Sequence, residues 1–187
     1  MANLSLQKSS RICVAVLLCF LANTSFAQSS LIDLIRDGQH DAALAAISSS
    51  DINATQADGS TALHWASYSV DHVLVKALLD AGAKADTTNS FGSSPLTEAV
   101  KLGDVELVRL LLGAGADPDS PNQDNQTALM LASNIGSLEI ATMLIDAGAD
   151  VNAIESFRGQ NALMWASAEN HPDIVELLIE HGADVTV

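Results

Sequence analysis

The chain has 187 residues, of which 8 are basic and 23 acidic, and its formal net charge at pH 7 is −15. Nucleic acids and anionic lipid surfaces are bound by basic patches, so this charge argues against both as partners. It favours a protein partner with a neutral or basic surface, although an acidic surface also serves solubility alone.

Residues 1–27 have the pattern of a secretory signal peptide. Lys8 and Arg11 make the start basic, residues 12–22 form an uncharged apolar core, and Ser25-Phe26-Ala27 is a small-x-small cleavage site. A membrane anchor needs about 20 apolar residues, more than this core provides. We therefore expect cleavage after Ala27, a periplasmic or secreted protein, and no membrane contact once the signal is removed.

Removal of the signal peptide would change the cysteine content and the net charge of the protein. Cys13 and Cys19 are the two cysteines of the chain and both lie in the signal, so the mature protein would have no disulfide, no thiolate nucleophile and no cysteine metal site. The signal also carries two of the eight basic residues and no acidic one, which leaves 6 basic and 23 acidic residues and a net charge of −17.

Residues 28–57 are predicted to form an incomplete first unit that caps the rest. Leu31 and Ile35 share one helical face, Gly38 ends that helix, and residues 41–47 can form a second one. Atypical end units are expected in repeat proteins because they cover an otherwise open apolar face.

From residue 58 the chain repeats itself. Asp58-Gly-Ser-Thr-Ala-Leu-His-Trp-Ala-Ser67 returns three times in altered form, and its central leucines are 33, 33 and 34 residues apart: Leu63, Leu96, Leu129 and Leu163. A fixed period of this length indicates a repeat array. The predicted units are 58–90, 91–123, 124–157 and 158–187. The extra residue of the third step falls in the segment 154–159, where we expect a loop.

Each unit has the signals of two helices and an extended loop. The residue that precedes the first helix is a good N-cap in every unit, namely Thr61, Ser94, Thr127 and Asn161. Residues 105–112 have apolar side chains at helical spacing and represent the second helix. A Gly-Ala pair follows that helix, and its glycine is the expected left-handed cap: Gly82, Gly115, Gly148 and Gly182.

The units resemble ankyrin repeats. Thr61-Ala-Leu-His-Trp-Ala66 matches the T-x-L-H-x-A opening of that family, and Leu144-Ile-Asp-Ala-Gly-Ala-Asp-Val-Asn-Ala153 matches its close. The resemblance covers residues 58–187. It implies an all-α ankyrin-repeat solenoid of stacked helix-turn-helix units with hairpin loops, whose function is to bind a protein partner rather than to catalyse a reaction. Folds of this kind host many partners, so the partner's identity is not implied.

No residue pattern indicates a catalytic, cofactor or metal site. His64 has Thr97, Met130 and Met164 as its counterparts, and a position that accepts these residues is not expected to be a base or a ligand. The resemblance implies that this histidine bonds to the loop backbone. The other histidines lack paired metal-ligand spacing. We expect the numerous loop carboxylates to be solvated.

One position of the first helix contains a local conflict. Trp65 and Trp165 share it and are expected to pack between stacked helices, because aromatic side chains bury a large area. Leu131 fits this environment as well. Glu98 occupies the same position in the second unit, and the sequence alone provides no reason for an acid there.

The predicted binding face consists of the positions whose residue type varies from unit to unit. Two rows follow the first helix and one lies at the loop tips before it; the face comprises Asp58, Tyr68, Ser69, Phe91, Lys101, Leu102, Asp124, Asn134, Ile135, Phe157, Arg158 and Glu169. In the ankyrin family these positions form the concave surface that contacts partners. Several of the side chains are apolar, and exposed apolar patches indicate an interface.

Two other functions remain open at this stage. The chain ends at Val187, where the next loop should begin, and it has no polar cap. It could therefore be the regulatory or targeting part of a longer enzyme whose catalytic domain lies beyond residue 187. A purely structural spacer is the third reading.

Overall fold

The computed structural model describes residues 30–186, and the predicted signal peptide with both cysteines lies outside this range. The described residues contain no β-strand, only an isolated bridge between Thr55 and Thr61. A short 3-10 turn, Ile47–Ser49, follows α2. The α-helices are α1 Leu31–Arg36, α2 His40–Ala46, α3 Ala62–Tyr68, α4 His72–Asp80, α5 Pro95–Lys101, α6 Val105–Gly113, α7 Ala128–Ile135, α8 Leu138–Asp146, α9 Ala162–Ala168 and α10 Pro172–Glu180. The all-α prediction is confirmed.

The first helix of each pair begins at the N-cap that the sequence predicts. The side-chain oxygen of the cap accepts a hydrogen bond from the backbone N–H three residues later, which satisfies one of the helix's unpaired donors. This bond is present at all four predicted caps, Thr61, Ser94, Thr127 and Asn161. Pro95 occupies the first position of α5, where a missing N–H has no consequence.

The second helix of each complete pair is followed, two residues after its end, by a glycine in the left-handed region. The φ angles of these glycines lie between 85° and 97°, at Gly82, Gly115, Gly148 and Gly182. A side chain is disfavoured in this conformation, which is why a helix so often ends at glycine. The predicted caps are therefore confirmed.

Stacking of the helix pairs buries one continuous apolar core. First helices pack on first helices and second helices on second helices, and the first helices approach one another more closely. The central leucines Leu63, Leu96 and Leu129 are fully buried, whereas Leu163 in the last pair retains some exposure. In α6 the buried stripe consists of Leu107, Val108 and Leu111. Since no pair can bury its apolar face alone, stability depends on the contacts between neighbours.

An extended loop folds back on itself before each first helix. A backbone hydrogen bond closes the turn, from Gln56 to Ser60, Asn89 to Ser93, Asn122 to Gln126 and Glu155 to Gln160. The last turn contains one residue more than the others, so the extra residue lies in a loop, as predicted. Within residues 30–186, no helix is both long and apolar enough to cross a bilayer.

Candidate protein-interaction site

The predicted binding face is largely open to solvent. Eleven of its twelve residues are exposed, and Asp58 is half-buried. Tyr68, Phe91 and Phe157 are 62%, 69% and 81% exposed, and they are the only tyrosine and phenylalanines among residues 30–186. Other exposed apolar side chains lie outside the face, and all of them are aliphatic: Val70, Val73, Leu138, Ile154, Ile179 and Val185.

The loop tips contact one another and form a continuous row. The backbone N–H of Ser90 donates to the carbonyl of Asp58 at 2.7 Å, and that of Ser156 donates to the carbonyl of Asp124 at 2.8 Å. Between the second and third loops, the side-chain amide of Gln123 donates to the carbonyl of Ser90. These bonds hold the varied side chains of the tips at fixed positions relative to one another.

The second and third loops also approach closely at Gly92. This residue has a φ of 70°, and a Cβ atom added to it would lie 2.6 Å from the backbone nitrogen of Gln123. Real Cβ atoms essentially never come so close to a backbone atom, so the contact requires glycine.

In the second and third loops, the side chain of the first residue holds the turn. The Oδ1 atom of Asn89 accepts from the backbone N–H groups of Phe91 and Ser93, both at 3.0 Å. Asn122 does the same for its own loop. Such Asx turns are the reason that asparagine is frequent in loops.

Glu155 is the counterpart of these asparagines in the longer last loop. Its carboxylate accepts from the backbone N–H groups of Phe157, Arg158 and Gln160 at 2.5, 2.7 and 3.1 Å. The longer side chain of glutamate spans the extra residue. Desolvation raises the pKa of this carboxyl, but the backbone donors and the nearby Arg158 charge lower it more, so the pKa lies below its usual value.

The position of Glu155 corrects the expectation that the loop carboxylates are solvated. Its side chain is buried, with 3% of the residue exposed, because the loop wraps around it. Asp58 has a local role as well: its carboxylate accepts from the N–H and the hydroxyl of Ser60 at 2.9 and 3.1 Å. The backbone bond to Ser60 is the main reason that the pKa of Asp58 is lowered.

The first and second loops and the helices behind them line a cavity of about 310 Å³ that is open to solvent, which we call the Trp65 cavity. It is lined by Asp58, Ser60, His64, Trp65, Tyr68, Asn89 and Glu98. The rings of Trp65 and Tyr68 meet edge to face, with 6.2 Å between centroids and 81° between planes. The indole N–H of Trp65 donates to Oε1 of Gln56 at 3.0 Å, which fixes the orientation of the ring. Trp65 packs against the core, as predicted.

His64 has the structural role that the sequence predicts. Its Nδ1 accepts from the backbone N–H of Thr61 at 3.2 Å, and its Nε2 donates to the carbonyl of Ser93 at 3.1 Å. The ring is therefore the neutral Nε2–H tautomer and joins two neighbouring loops. Desolvation lowers its pKa below the usual value.

The structure resolves the conflict at Glu98. The hydroxyl of Ser93 and the ammonium group of Lys101, the latter at 3.2 Å, both donate to its Oε1 atom. The carboxylate is half-buried, and these donors compensate for its partial desolvation. The spacing of Glu98 and Lys101, three residues apart on a helix, is a signal that sequence reading could have used.

A second cavity, of about 250 Å³, lies between the third and fourth loops. Its lining includes Asp124, Phe157 and Arg158 of the predicted face together with Trp165. The guanidinium of Arg158 lies 5.7 Å from the centroid of the Phe157 ring. The indole N–H of Trp165 is buried and has no hydrogen-bond acceptor among the described residues.

The remaining residues of the predicted face line neither of these two cavities. Ser69 lines a small, separate cavity with His40 and Asp71, and its hydroxyl donates to the carbonyls of Trp65 and Ala66. Phe91 is an exposed loop tip, and the other members lie at the ends of first helices and are exposed: Lys101, Leu102, Asn134, Ile135 and Glu169. The structure thus groups Asp58 and Tyr68 with Trp65, and Asp124, Phe157 and Arg158 with Trp165. No set of three or more metal-binding side chains is found among residues 30–186.

Comparison with known families agrees with the geometry of the fold. A family model described as ankyrin repeats (3 copies) matches residues 31–122 and again residues 99–187. No curated protein matches the chain.

Proposed function

Because the chain belongs to the ankyrin-repeat family, we propose that it is an exported protein-binding module that contacts its partner through the predicted binding face. Ankyrin repeats are general protein–protein interaction modules. The proposal adds two points to this general role, namely export and the surface that binds. The signal-peptide pattern of residues 1–27 supports export, and the exposed side chains of the face support the choice of surface.

The observation that carries the proposal is the exposure of the aromatic side chains. Tyr68, Phe91 and Phe157 all lie on the face, although burial of an aromatic ring is among the largest apolar contributions to folding. Exposed aromatic residues beside an arginine are typical of binding hot spots. First helices pack more closely on one another than second helices do, and the face lies at the ends of the first helices and in the loops before them.

The charge of the chain supports a neutral or basic partner. Acidic residues exceed basic ones by 15 over the whole chain. Several of the few cations are already paired with carboxylates: Arg36, Lys76, Lys101 and Arg109. The surface potential is therefore negative and accelerates encounter with a cationic partner.

A comparison of two triple variants tests the surface. Tyr68→Ser, Phe91→Ser and Leu102→Ser remove apolar area from the predicted face. Val73→Ser, Leu138→Ser and Ile179→Ser are the matched control on the second helices; their side chains are 61%, 40% and 50% exposed. Crosslinking in the native compartment, followed by mass spectrometry, should identify a partner for the wild type. Both variants should fold by circular dichroism, and only the face variant should lose capture. Loss by the control with full capture by the face variant would show that the opposite surface binds.

A separate experiment tests export. Mass spectrometry of the exported protein should find Gln28 as its first residue, because the cleavage site ends at Ala27. An intact Met1 on exported protein would contradict this part of the proposal and leave the binding part standing.

A further inference from the structure

We propose that the Trp65 cavity binds an arginine side chain of the partner protein. The inference rests on the proposed function, since it names the chemistry that the binding face recognises. It follows from the aromatic walls of the cavity, from its excess negative charge and from one carboxylate oxygen that receives no hydrogen bond from residues 30–186.

Two aromatic rings form one wall. Trp65 is held by its bond to Gln56, and the ring of Tyr68 meets it edge to face with most of its own surface exposed. A cation over the face of such a ring is attracted by the ring quadrupole, and tryptophan is the strongest partner. The fixed indole requires little reordering when a ligand binds, which favours affinity.

The charges around the cavity favour a cation. Asp58 and Glu98 contribute two carboxylates. Lys101 is paired with Glu98 and compensates for one of them. His64 is neutral, because both of its ring nitrogens are committed to backbone partners in a tautomer that carries one proton. One negative charge remains uncompensated at the cavity.

Glu98 also has an acceptor atom to spare. Ser93 and Lys101 both donate to Oε1, and no residue between 30 and 186 donates to Oε2. A carboxylate oxygen without a protein donor remains free to accept from a charged N–H group, and such charge-assisted hydrogen bonds are stronger than neutral ones. An arginine could therefore bind Glu98 without displacing Lys101.

Arginine fits this arrangement better than lysine. Its guanidinium is planar, stacks on aromatic faces and is only weakly hydrated, so that one group can contact a ring and donate to a carboxylate together. The chain provides an internal example, since Arg158 lies over the ring of Phe157 at the second cavity. The Trp65 cavity has the rings and the carboxylate but no guanidinium in its lining.

The position of Glu98 distinguishes this junction from the others. The corresponding residues of the other complete units are Trp65, Leu131 and Trp165, none of which carries a charge. Only between the first and second units does an aromatic pair of one helix lie beside a carboxylate of the next, within the described part of the chain. The acid that interrupts this uncharged row thus provides the specificity of the site.

Nuclear magnetic resonance titration with a short peptide tests the inference. The probe is acetyl-Gly-Gly-Arg-Gly-Gly-amide, and the same peptide with citrulline is the uncharged control of equal shape. The arginine peptide should shift the indole N–H resonance of Trp65 saturably, whereas that of Trp165 should stay unchanged. The citrulline peptide should shift neither. A wild-type protein whose Trp65 resonance does not respond, or responds equally to both peptides, would overturn the proposal.

Three variants locate the effect. Tyr68→Ser and Glu98→Gln should weaken binding by about two- to fivefold or more, since each removes one element of cation recognition. Glu176→Gln makes the same change of net charge on an exposed side chain of α10 and should leave binding unchanged. Equal losses in Glu98→Gln and Glu176→Gln would show general attraction to an acidic surface and refute the site. If the peptide fails while the triple face variant still loses its partner, the proposed function stands and the arginine site is wrong.

Discussion

Trp65 and Trp165 occupy the same position of their units, yet only the indole N–H of Trp65 has an acceptor in the described structure, Oε1 of Gln56 at 3.0 Å. The counterpart of Gln56 in the last loop is Glu155. Its carboxylate is turned toward the backbone of its own loop and is not available to Trp165. The longer loop therefore uses its first side chain for its own turn, and the buried indole N–H of Trp165 has no acceptor within residues 30–186.

This difference predicts unequal effects of the same substitution. Trp65→Phe removes a hydrogen bond together with part of a packed ring. Trp165→Phe removes similar packing, but the N–H group that it removes makes no hydrogen bond within the described residues. The free energy of unfolding should fall by about 1 kcal/mol more for Trp65→Phe. Urea denaturation followed by circular dichroism measures it. Equal losses would mean that the Gln56 bond contributes nothing net.

Asp119 is predicted to make the folded protein less stable than asparagine at the same position would. At the equivalent position Asn53 donates to the carbonyl of Gly82 and accepts from the N–H of Lys84, at 3.2 and 2.9 Å. Asp119 only accepts, from the N–H of Asp150. Desolvation raises its pKa, and the charges of Asp117 and Asp150 add to the effect.

Asp119→Asn should therefore stabilise the protein by about 1 kcal/mol at pH 7, because it adds a donor toward the carbonyl of Gly148. A raised pKa means that the charged carboxylate opposes folding, so the gain should shrink as pH falls through the raised folded pKa, and its electrostatic part should be lost below pH about 3.8, where the carboxyl is protonated in the unfolded chain too. The reverse change Asn152→Asp is the control and should destabilise, since Asn152 makes both bonds, to Gly182 and Asp184. A neutral or destabilising Asp119→Asn at pH 7 would contradict this account.

His64 predicts a loss of stability in mild acid. Its folded pKa is lowered, so the unfolded chain binds the proton more readily. The stabilisation is present above pH about 6.5 and is lost as pH falls toward the folded pKa. His64→Thr, which imitates Thr97, should be less stable than the wild type at pH 7.5 and should lose less stability between pH 7.5 and 5.5. Parallel losses in both proteins would assign the pH dependence to other groups.

Stability should also vary along the array. Leu129 is fully buried in a central first helix, so Leu129→Ala should cost about 2–5 kcal/mol. Leu34 in α1 is only partly buried, and Leu34→Ala should cost less and act locally. Hydrogen exchange distinguishes the two: the first variant should lose protection across several units, the second mainly in α1 and α2. Equal losses of protection everywhere would argue against nearest-neighbour stability.

The features that the sequence predicts well are those that depend on a few adjacent residues. A helix N-cap requires a hydroxyl or amide oxygen at one position, and Ser94 meets that requirement before any tertiary contact forms. The left-handed glycines are predictable for the same reason, since each requires only one residue type at one position after the helix. The period of the leucines then predicts the stack, since each unit repeats the same apolar face.

The bonding of the two unusual acids could not be predicted in the same way. Glu98 depends on the hydroxyl of Ser93, which reaches it only because the loop passes over the helix. Glu155 depends on the path of three backbone N–H groups around an inserted residue. For the candidate site, variation among units predicted that the apolar side chains of the face are exposed, as they are, but the cavities depend on which loop covers which helix.

Gly92 and Phe91 show how such a protein can change its partners over evolution. At Gly92 the next loop leaves no room for a side chain, so this position cannot vary without moving the backbone. The ring of its neighbour Phe91 is 69% exposed and accepts no hydrogen bond on which the loop depends. A substitution at residue 91 can therefore alter recognition, while Gly92 keeps the spacing between the loops. Natural selection can thus act on specificity and on folding almost independently.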